Sequence, residues 1–236
     1  MRVLVPPGSL TLGGTIELDE EESHHLAVRR AHSDELVELL DGAGGVARGK
    51  ARLRGRVWIV EVDAVELRPP LAPLTIAVGA GDRDHFGWLV EKAAELGVTT
   101  VVPLETERTQ AVATRLRDRH VPKLRWAALQ AIKQSGSAWA PAIEAPGTLE
   151  RFLARAAGGA RLLADVGGDD PPVRLDEGPA VVLIGPEGGF TNDERSLIDS
   201  AGYAAIALGR FTLRFETAAV AAAAAVAIAR GRSAHG

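Results

Sequence analysis

The chain has 236 residues, 46% hydrophobic and 25% charged, with a net charge of −4. These values are ordinary for a folded globular protein of one large or two modest domains. Cysteine is absent, which excludes disulfides, thiolate zinc sites, cysteine-ligated iron–sulfur clusters and a cysteine nucleophile.

The opening Met1-Arg-Val-Leu-Val-Pro-Pro7 lacks the long apolar stretch of a secretory signal. The longest uncharged apolar run, Thr217–Ala229, is too short and too alanine-rich to span a bilayer. A cytoplasmic protein without a membrane partner is therefore expected. Residues 1–68 read as a small β-rich domain, with short strands at Val3–Val5, Thr15–Leu18, Glu35–Leu40, Gly45–Leu53 and Val57–Val65. A helical stretch covers Glu20–Ala31, and Asp41-Gly42 marks a turn. Arg48, Lys50, Arg52, Arg54 and Arg56 alternate with small or apolar residues. On one strand they all project from one face. That face is either a solvated surface or a contact for phosphates, and Arg29 and Arg30 extend it. His24, His25 and His32 form no familiar ligand motif with the nearby carboxylates, so no metal is expected.

Arg68-Pro-Pro-Leu-Ala-Pro73 is stiffened by its prolines and sets the expected boundary, giving domains 1–70 and 71–236. Beyond it, Leu74–Val78 predicts a strand, Asp84–Leu96 a helix capped by Gly97, and Val98–Leu104 a second strand. This βαβ unit makes the two strands parallel. Gly79-Ala80-Gly81 lacks the third glycine of a dinucleotide loop, and the helix starts too late for one. Residues 108–133 carry Arg108, Arg115, Arg117, Arg119, Lys123, Arg125 and Lys133 against a single acid, Asp118. A solvated helix usually interleaves both signs, so this excess points to an RNA contact.

Leu149–Ala157 predicts a helix, and Leu162–Asp165 a strand ending in a Val166-Gly-Gly-Asp-Asp-Pro-Pro172 loop. Two apolar runs, Ala180–Ile184 and Ala204–Leu208, then stop at glycine and read as buried strands that end in loops. Ligands in open α/β sheets gather at such strand ends. The first loop is Gly185-Pro186-Glu187-Gly188-Gly189. Thr191 and Glu194 have capping-box spacing, so a helix starts at Asn192 and runs to about Ser200. The second loop, from Gly209, carries Arg210 and Arg214 into a final helix that starts near Glu216 and is ended by Gly231. Its alanine-rich body suits close packing on the sheet or on another subunit.

Leu183–Phe190, Leu-Ile-Gly-Pro-Glu-Gly-Gly-Phe, and Leu208–Thr217, Leu-Gly-Arg-Phe-Thr-Leu-Arg-Phe-Glu-Thr, together resemble the two signature motifs of the RsmE-type 16S ribosomal RNA uracil-N(3)-methyltransferases, members of the SPOUT superfamily. Glu91-Lys-Ala-Ala-Glu-Leu-Gly-Val98 with Pro103 and Glu107-Arg108, and His24-x-x-x-Val28-Arg29-Arg30 with Asp41-Gly42, extend the similarity. Gln130–Pro141 resembles a further family segment but departs from it: Lys133 replaces an acid and Ser137 an arginine. The resemblance implies an α/β fold in which a parallel-sheet SPOUT domain with a trefoil knot follows a small PUA-like RNA-binding β-barrel. It implies S-adenosylmethionine as cofactor, held by Leu163, Asp165, Ile184, Gly185, Pro186, Glu187, Gly188, Gly189, Leu208, Gly209, Thr212 and Leu213. It further implies a homodimer acting on 16S rRNA in the small ribosomal subunit, with Arg29, Arg30, Arg48, Lys50, Arg52, Arg108 and Arg115 toward the RNA.

Methylating a ring nitrogen or a hydroxyl needs no thiolate, which agrees with the absence of cysteine. The proton on uracil N3 must be removed or its anion stabilised. Arg214 is the expected stabiliser and Glu216 a candidate base, with pairing to Arg214 or capping of the last helix as its other readings. 2′-O-ribose methylation, or a non-catalytic role in binding RNA or assembling ribosomes, are the alternatives.

Overall fold

The alternating residues of the N-terminal region form a five-stranded sheet in the computed structural model, which describes residues 1–109, 112–155 and 158–233. The strands are β1 (Arg2–Leu4), β2 (Thr15–Glu17), β3 (Glu35–Leu40), β4 (Gly45–Arg54) and β5 (Val57–Leu67), in the order β1-β3-β4-β5-β2. β1 pairs with β3 in parallel and the other neighbours are antiparallel. The sheet is thus mixed and open, with β1 and β2 at its edges. Val3, Val37, Leu39, Trp58 and Val60 form its core together with Leu26 of α1 (Glu20–Val28). Asp19 caps α1 by accepting from the Glu22 amide at 2.8 Å. Three glutamates in the first turn complement the positive end of the helix dipole.

The basic stripe is shorter than the spacing suggests. Arg48, Lys50, Arg52 and Arg54 lie exposed on β4, while Arg56 sits in the tight turn after Gly55. α1 ends at Val28, so Arg29 and Arg30 follow the helix, and Arg30 takes a left-handed conformation with φ 55°.

By its contacts the chain divides into two units, Met1–Pro70 with Leu129–Ala140, and Leu71–Ala128 with Pro141–Gly236. The segment 129–140 therefore belongs with the N-terminal residues, which no local pattern announces. It is the end of α3 (Val121–Ser135) and the turn that follows. In the first unit Lys133 Nζ lies 2.7 Å from Glu22 Oε2, with side chains 11% and 3% exposed. The cation counted in the basic region is a buried ion pair.

The second unit is built on a parallel sheet. Its strands are β6 (Leu74–Gly79), β7 (Thr100–Glu105), β8 (Ala142–Ile143), β9 (Gly147–Thr148), β10 (Ala160–Asp169), β11 (Ala180–Ile184) and β12 (Ala204–Ile206). The order is β12-β10-β11-β6-β7-β8, with β9 also on β7, and every pair is parallel. All five residues of β11 are buried, which is why it reads as an unbroken apolar run. α4 (Leu149–Leu153) and α5 (Asn192–Ser200) cover one face through Leu149, Phe152 and Ile198, packed on Ala77, Leu163, Val181 and Leu183. α2 (Arg83–Glu95) packs against α6 (Phe215–Ser233), which also lies on β6 and β11.

Three expectations change here. β10 continues through Val166–Asp169 where a loop was expected, because the strand bulges and Asp169 pairs again with Ile206. α4 ends at Leu153, and the expected end at Ala157 lies outside the described residues. α6 runs through Gly231 to Ser233. Its last part is anchored by buried Arg230, which donates to the carbonyls of Ala72, Pro73, Asp176 and Gly178 at 2.6–3.3 Å.

Candidate active site

The parallel sheet brings the middle of β10 beside the end of β11, since β10 lies between β12 and β11 and Leu163 pairs with Leu183. Around them a cavity of about 380 Å3 opens, formed by the middle of β10, the segments after β11 and β12, and residues of α5 and α6. This falls within the roughly 300–1,000 Å3 usual for small-molecule sites. Asp165, Ile184, Gly185, Pro186, Glu187, Gly189, Leu208, Gly209, Thr212 and Leu213, all expected at the cofactor, line it. Leu163 is buried in the core beneath, and Gly188 faces Arg108 instead. Ala164, Val166, Phe190, Arg195, Phe211, Phe215 and Ala218 complete the lining without having been anticipated. Phe190, Phe211 and Phe215 belong to the two motifs themselves, and aromatic type beside a glycine loop was the available signal.

The first loop is fixed at both ends. Gly189 N donates to Pro186 O at 2.7 Å, closing a turn. Thr191 caps α5 in a reciprocal box with Glu194, as its spacing predicts. Glu194 does more than cap. Its Oε2 accepts from Thr191 N and its Oε1 from Glu107 N, each at 2.8 Å, tying the loop to the segment after β7. From that segment Arg108 donates to the Gly188 carbonyl. Arg108, expected at RNA, therefore props the glycine loop.

Gly79 and Gly81 acquire a reason here. A Cβ on Gly79 would lie 2.5 Å from Pro186 Cδ, and one on Gly81 would lie 2.5 Å from a Glu187 carboxylate oxygen. The two glycines let the end of β6 pass against the loop after β11, and no dinucleotide needs to be invoked.

Asp165 accepts from Gly167 N at 2.8 Å and from Arg195. The backbone bond, together with Arg195, holds its carboxyl below the usual carboxylate range against the opposing effect of burial. It presents a negative charge at one wall, while the glycines offer backbone and the phenylalanines apolar surface.

Neither candidate catalytic residue lines the cavity. Arg214 lies between Leu213 and Phe215, which do, and its exposed guanidinium has no partner among the described residues. Glu216 sits in the first turn of α6, 9% exposed, and does not pair with Arg214. Its Oε1 lies 3.9 Å from His85 Nδ1 of α2, and its buried Oε2 has no hydrogen-bond partner.

Of the other expected RNA residues, Arg115 lies beside Asp82, bridging to it through the backbone. In the first unit Arg52 is neutralised by Asp34 at 3.0 Å and Glu61 at 2.9 Å. Arg29, Arg30, Arg48 and Lys50 remain exposed.

A family model for the RNA methyltransferase domain matches residues 68–227. The chain belongs to this RNA methyltransferase family. Ribosomal RNA small subunit methyltransferase E of Synechocystis sp. is 30% identical over 230 residues, spanning 92% of this chain and 74% of that protein. The protein of the same name from Mycobacterium bovis is 30% identical over 242 residues, spanning 93% and 88%. The crystal structure of the Neisseria gonorrhoeae ribosomal RNA small subunit methyltransferase E, bound to S-adenosylmethionine, superposes with a TM-score of 0.82 at 26% identity and covers 95% of each chain. The methyltransferase unit and its α/β parallel sheet are thereby family features. No helix among the described residues is long and apolar enough to cross a membrane.

Proposed function

We propose that this protein is an S-adenosylmethionine-dependent methyltransferase of 16S rRNA that modifies N3 of a uridine in the small ribosomal subunit. The observation that carries this reading is the cavity beside β10 and the end of β11, into which both glycine-rich signature loops and Asp165 converge. Its relatives named above support the rRNA substrate and the cofactor.

The residues fit the cofactor. Backbone of Gly185–Gly189 and of Leu208–Leu213 suits the adenine edge, Phe190 and Phe211 its faces, and Asp165 a cationic group. The cofactor supplies an activated methyl group, and the protein positions and tunes. Arg214 stabilises the anion developing on the base, for which its unpaired guanidinium is free. Glu216, with one oxygen lacking a partner, is the proton acceptor in this proposal. We further assign residues 1–70 to a PUA-like RNA-binding domain and 71–236, apart from the 129–140 segment that belongs with the first unit, to a trefoil-knotted SPOUT domain in a cytoplasmic homodimer. Arg29, Arg30, Arg48, Lys50 and Arg115 face the RNA.

The test is incubation with labelled S-adenosylmethionine and unmodified small subunits, followed by nucleoside mass spectrometry. New 3-methyluridine is expected, and label on a 2′-O-methylated nucleoside or no label would refute the assignment. Arg214→Ala is expected to lower kcat about 100-fold or more while cofactor binding persists. Normal turnover by that variant would remove Arg214 from the mechanism.

A further inference from the structure

Within the first unit, Met1, Arg2, α1, β3, β4 and residues 130–134 surround a groove of about 830 Å3. It holds the side chains of Arg2, His25, Arg29, Arg48 and Lys133. Two of these cations are already satisfied: Arg2 pairs with Glu38 at 2.8 Å and Lys133 with Glu22 at 2.7 Å. Glu38, the residue opposite Arg48 across the β3–β4 ladder, is therefore occupied. Arg29 and Arg48 have no partner among the described residues. They leave an uncompensated positive charge in a concave site, which is a demand for an anion. The same groove has an apolar wall in Leu36, 66% exposed, and an exposed amide side chain at Gln134.

We propose that this groove seats one unpaired nucleotide of the RNA, with its phosphate on Arg29 and Arg48 and its base between Leu36 and Gln134. The inference rests on the RNA-directed function above and extends it to a second contact on the substrate. An unpaired nucleotide fits better than a duplex for a chemical reason. A paired base has its hydrogen-bonding edge filled, whereas a splayed base offers that edge to an amide and its face to an apolar side chain. An extended basic face would instead follow a duplex backbone, yet on β4 Arg52 is cancelled by Asp34 and Glu61.

His25 supplies a signature. Burial, then Lys133 from the 129–140 segment and Arg29 just beyond its own helix, hold its imidazole below the ordinary value, with Glu21 opposing. Arg48 faces the groove from β4. A phosphate seated on Arg29 and Arg48 offsets that positive field and favours the imidazolium. Binding then takes up protons, so affinity rises as pH falls toward the ordinary histidine range.

The experiment is fluorescence anisotropy of a short labelled oligoribonucleotide with the full-length protein, single-stranded and as a duplex, across pH and salt. Arg29→Ala and Arg48→Ala are each expected to weaken single-strand binding roughly tenfold and to lower the salt slope by about 0.7. Arg54→Ala, the same charge change on β4 outside the groove, is expected to alter affinity less than about twofold. His25→Gln is expected to flatten the pH dependence while retaining binding at high pH. Equal losses for Arg54→Ala and Arg48→Ala would overturn the groove in favour of a diffuse basic face. Tighter binding of the duplex, or equal competition by polyglutamate, would overturn the nucleotide as its occupant. Wild-type protein that binds no RNA would defeat the functional reading itself. Binding that survives both Arg29→Ala and Arg48→Ala would defeat only the groove.

Discussion

Replacing Lys133 by methionine keeps the length of the side chain and removes its charge, which isolates the buried pair with Glu22. The wild-type ammonium reaches both carboxylate oxygens, at 2.7 and 2.8 Å, and Glu22 is only 3% exposed. Removing one member leaves the other charge buried without compensation, which costs about 3–5 kcal/mol. A loss of about 3 kcal/mol lowers the folding equilibrium constant of the first unit more than 100-fold. The pH response has a definite sign. Burial raises the Glu22 pKa in the folded state, and Lys133 is the main influence lowering it. A raised carboxyl contributes stability that is full below its unfolded value and is lost as pH climbs through the folded one. In Lys133→Met the influence of Lys133 disappears and only the backbone hydrogen bond from Leu4 still lowers the Glu22 pKa, so the window reaches higher pH and the defect deepens between mildly acidic and neutral solution. The double variant Glu22→Leu/Lys133→Met buries no charge and is expected to recover most of the loss. Urea unfolding, with hydrogen exchange of β3 and β4 amides as the local readout, measures both. A Lys133→Met variant less than about 1 kcal/mol below wild type, the cost of an exposed pair, would refute the buried-pair argument. So would a double variant no more stable than the single one.

Arg230→Lys keeps the charge but not the planar fork that serves four carbonyls, so it is expected to lose about 2–3 kcal/mol. A thermal melt equal to wild type would show that the fork is dispensable. Glu194→Ala removes acceptors from both Thr191 N and Glu107 N, and a loss of about 1–2 kcal/mol is expected. Because Glu107 precedes Arg108, the same variant is expected to weaken S-adenosylmethionine binding by calorimetry, with Glu194→Gln partly restoring it. Asp165 has a lowered pKa, so its stabilising bonds to Gly167 N and Arg195 are present above the unfolded carboxyl value and lost as pH falls through the folded one. Cofactor affinity is therefore expected to be flat near neutrality and to fall only in acid below the ordinary aspartate range. In Asp165→Asn that acid limb should vanish.

The features that were legible in the sequence are those whose causes are local. β11 stands out because a strand buried on both faces must be apolar throughout. α5 starts at Asn192 because Thr191 and Glu194 satisfy each other across one turn, and three residues of spacing reveal it. The glycine loops that line the cavity were legible for a similar reason: a backbone that approaches a ligand needs glycine, and glycine at a strand end is visible. What was misread has its cause elsewhere in the chain. Val166–Asp169 contains two glycines and two prolines follow, so it reads as a loop, yet pairing with Ile206 keeps it extended. Gly231 reads as a helix stop, but Arg230 is clamped to carbonyls at 72, 73, 176 and 178, and the helix continues past it.

The charged residues make the sharper case, because a formal charge says nothing of its partner. Lys133, Arg52 and Arg108 were grouped with the RNA-facing cations on composition. Each is accounted for within the fold: Lys133 by Glu22, Arg52 by Asp34 and Glu61, Arg108 by the Gly188 carbonyl. Subtracting them does not weaken the RNA reading. It sharpens it, since among the cations left without partners Arg29 and Arg48 line the groove of the first unit and Arg214 adjoins the cavity, where an incoming anion can use their charge. A residue already holding a partner must give up that bond before it gains another, so its net contribution to binding is small. An unpaired guanidinium carries no such exchange cost. The three arginines are thus the residues at which RNA affinity and turnover should respond most strongly to the loss of one charge.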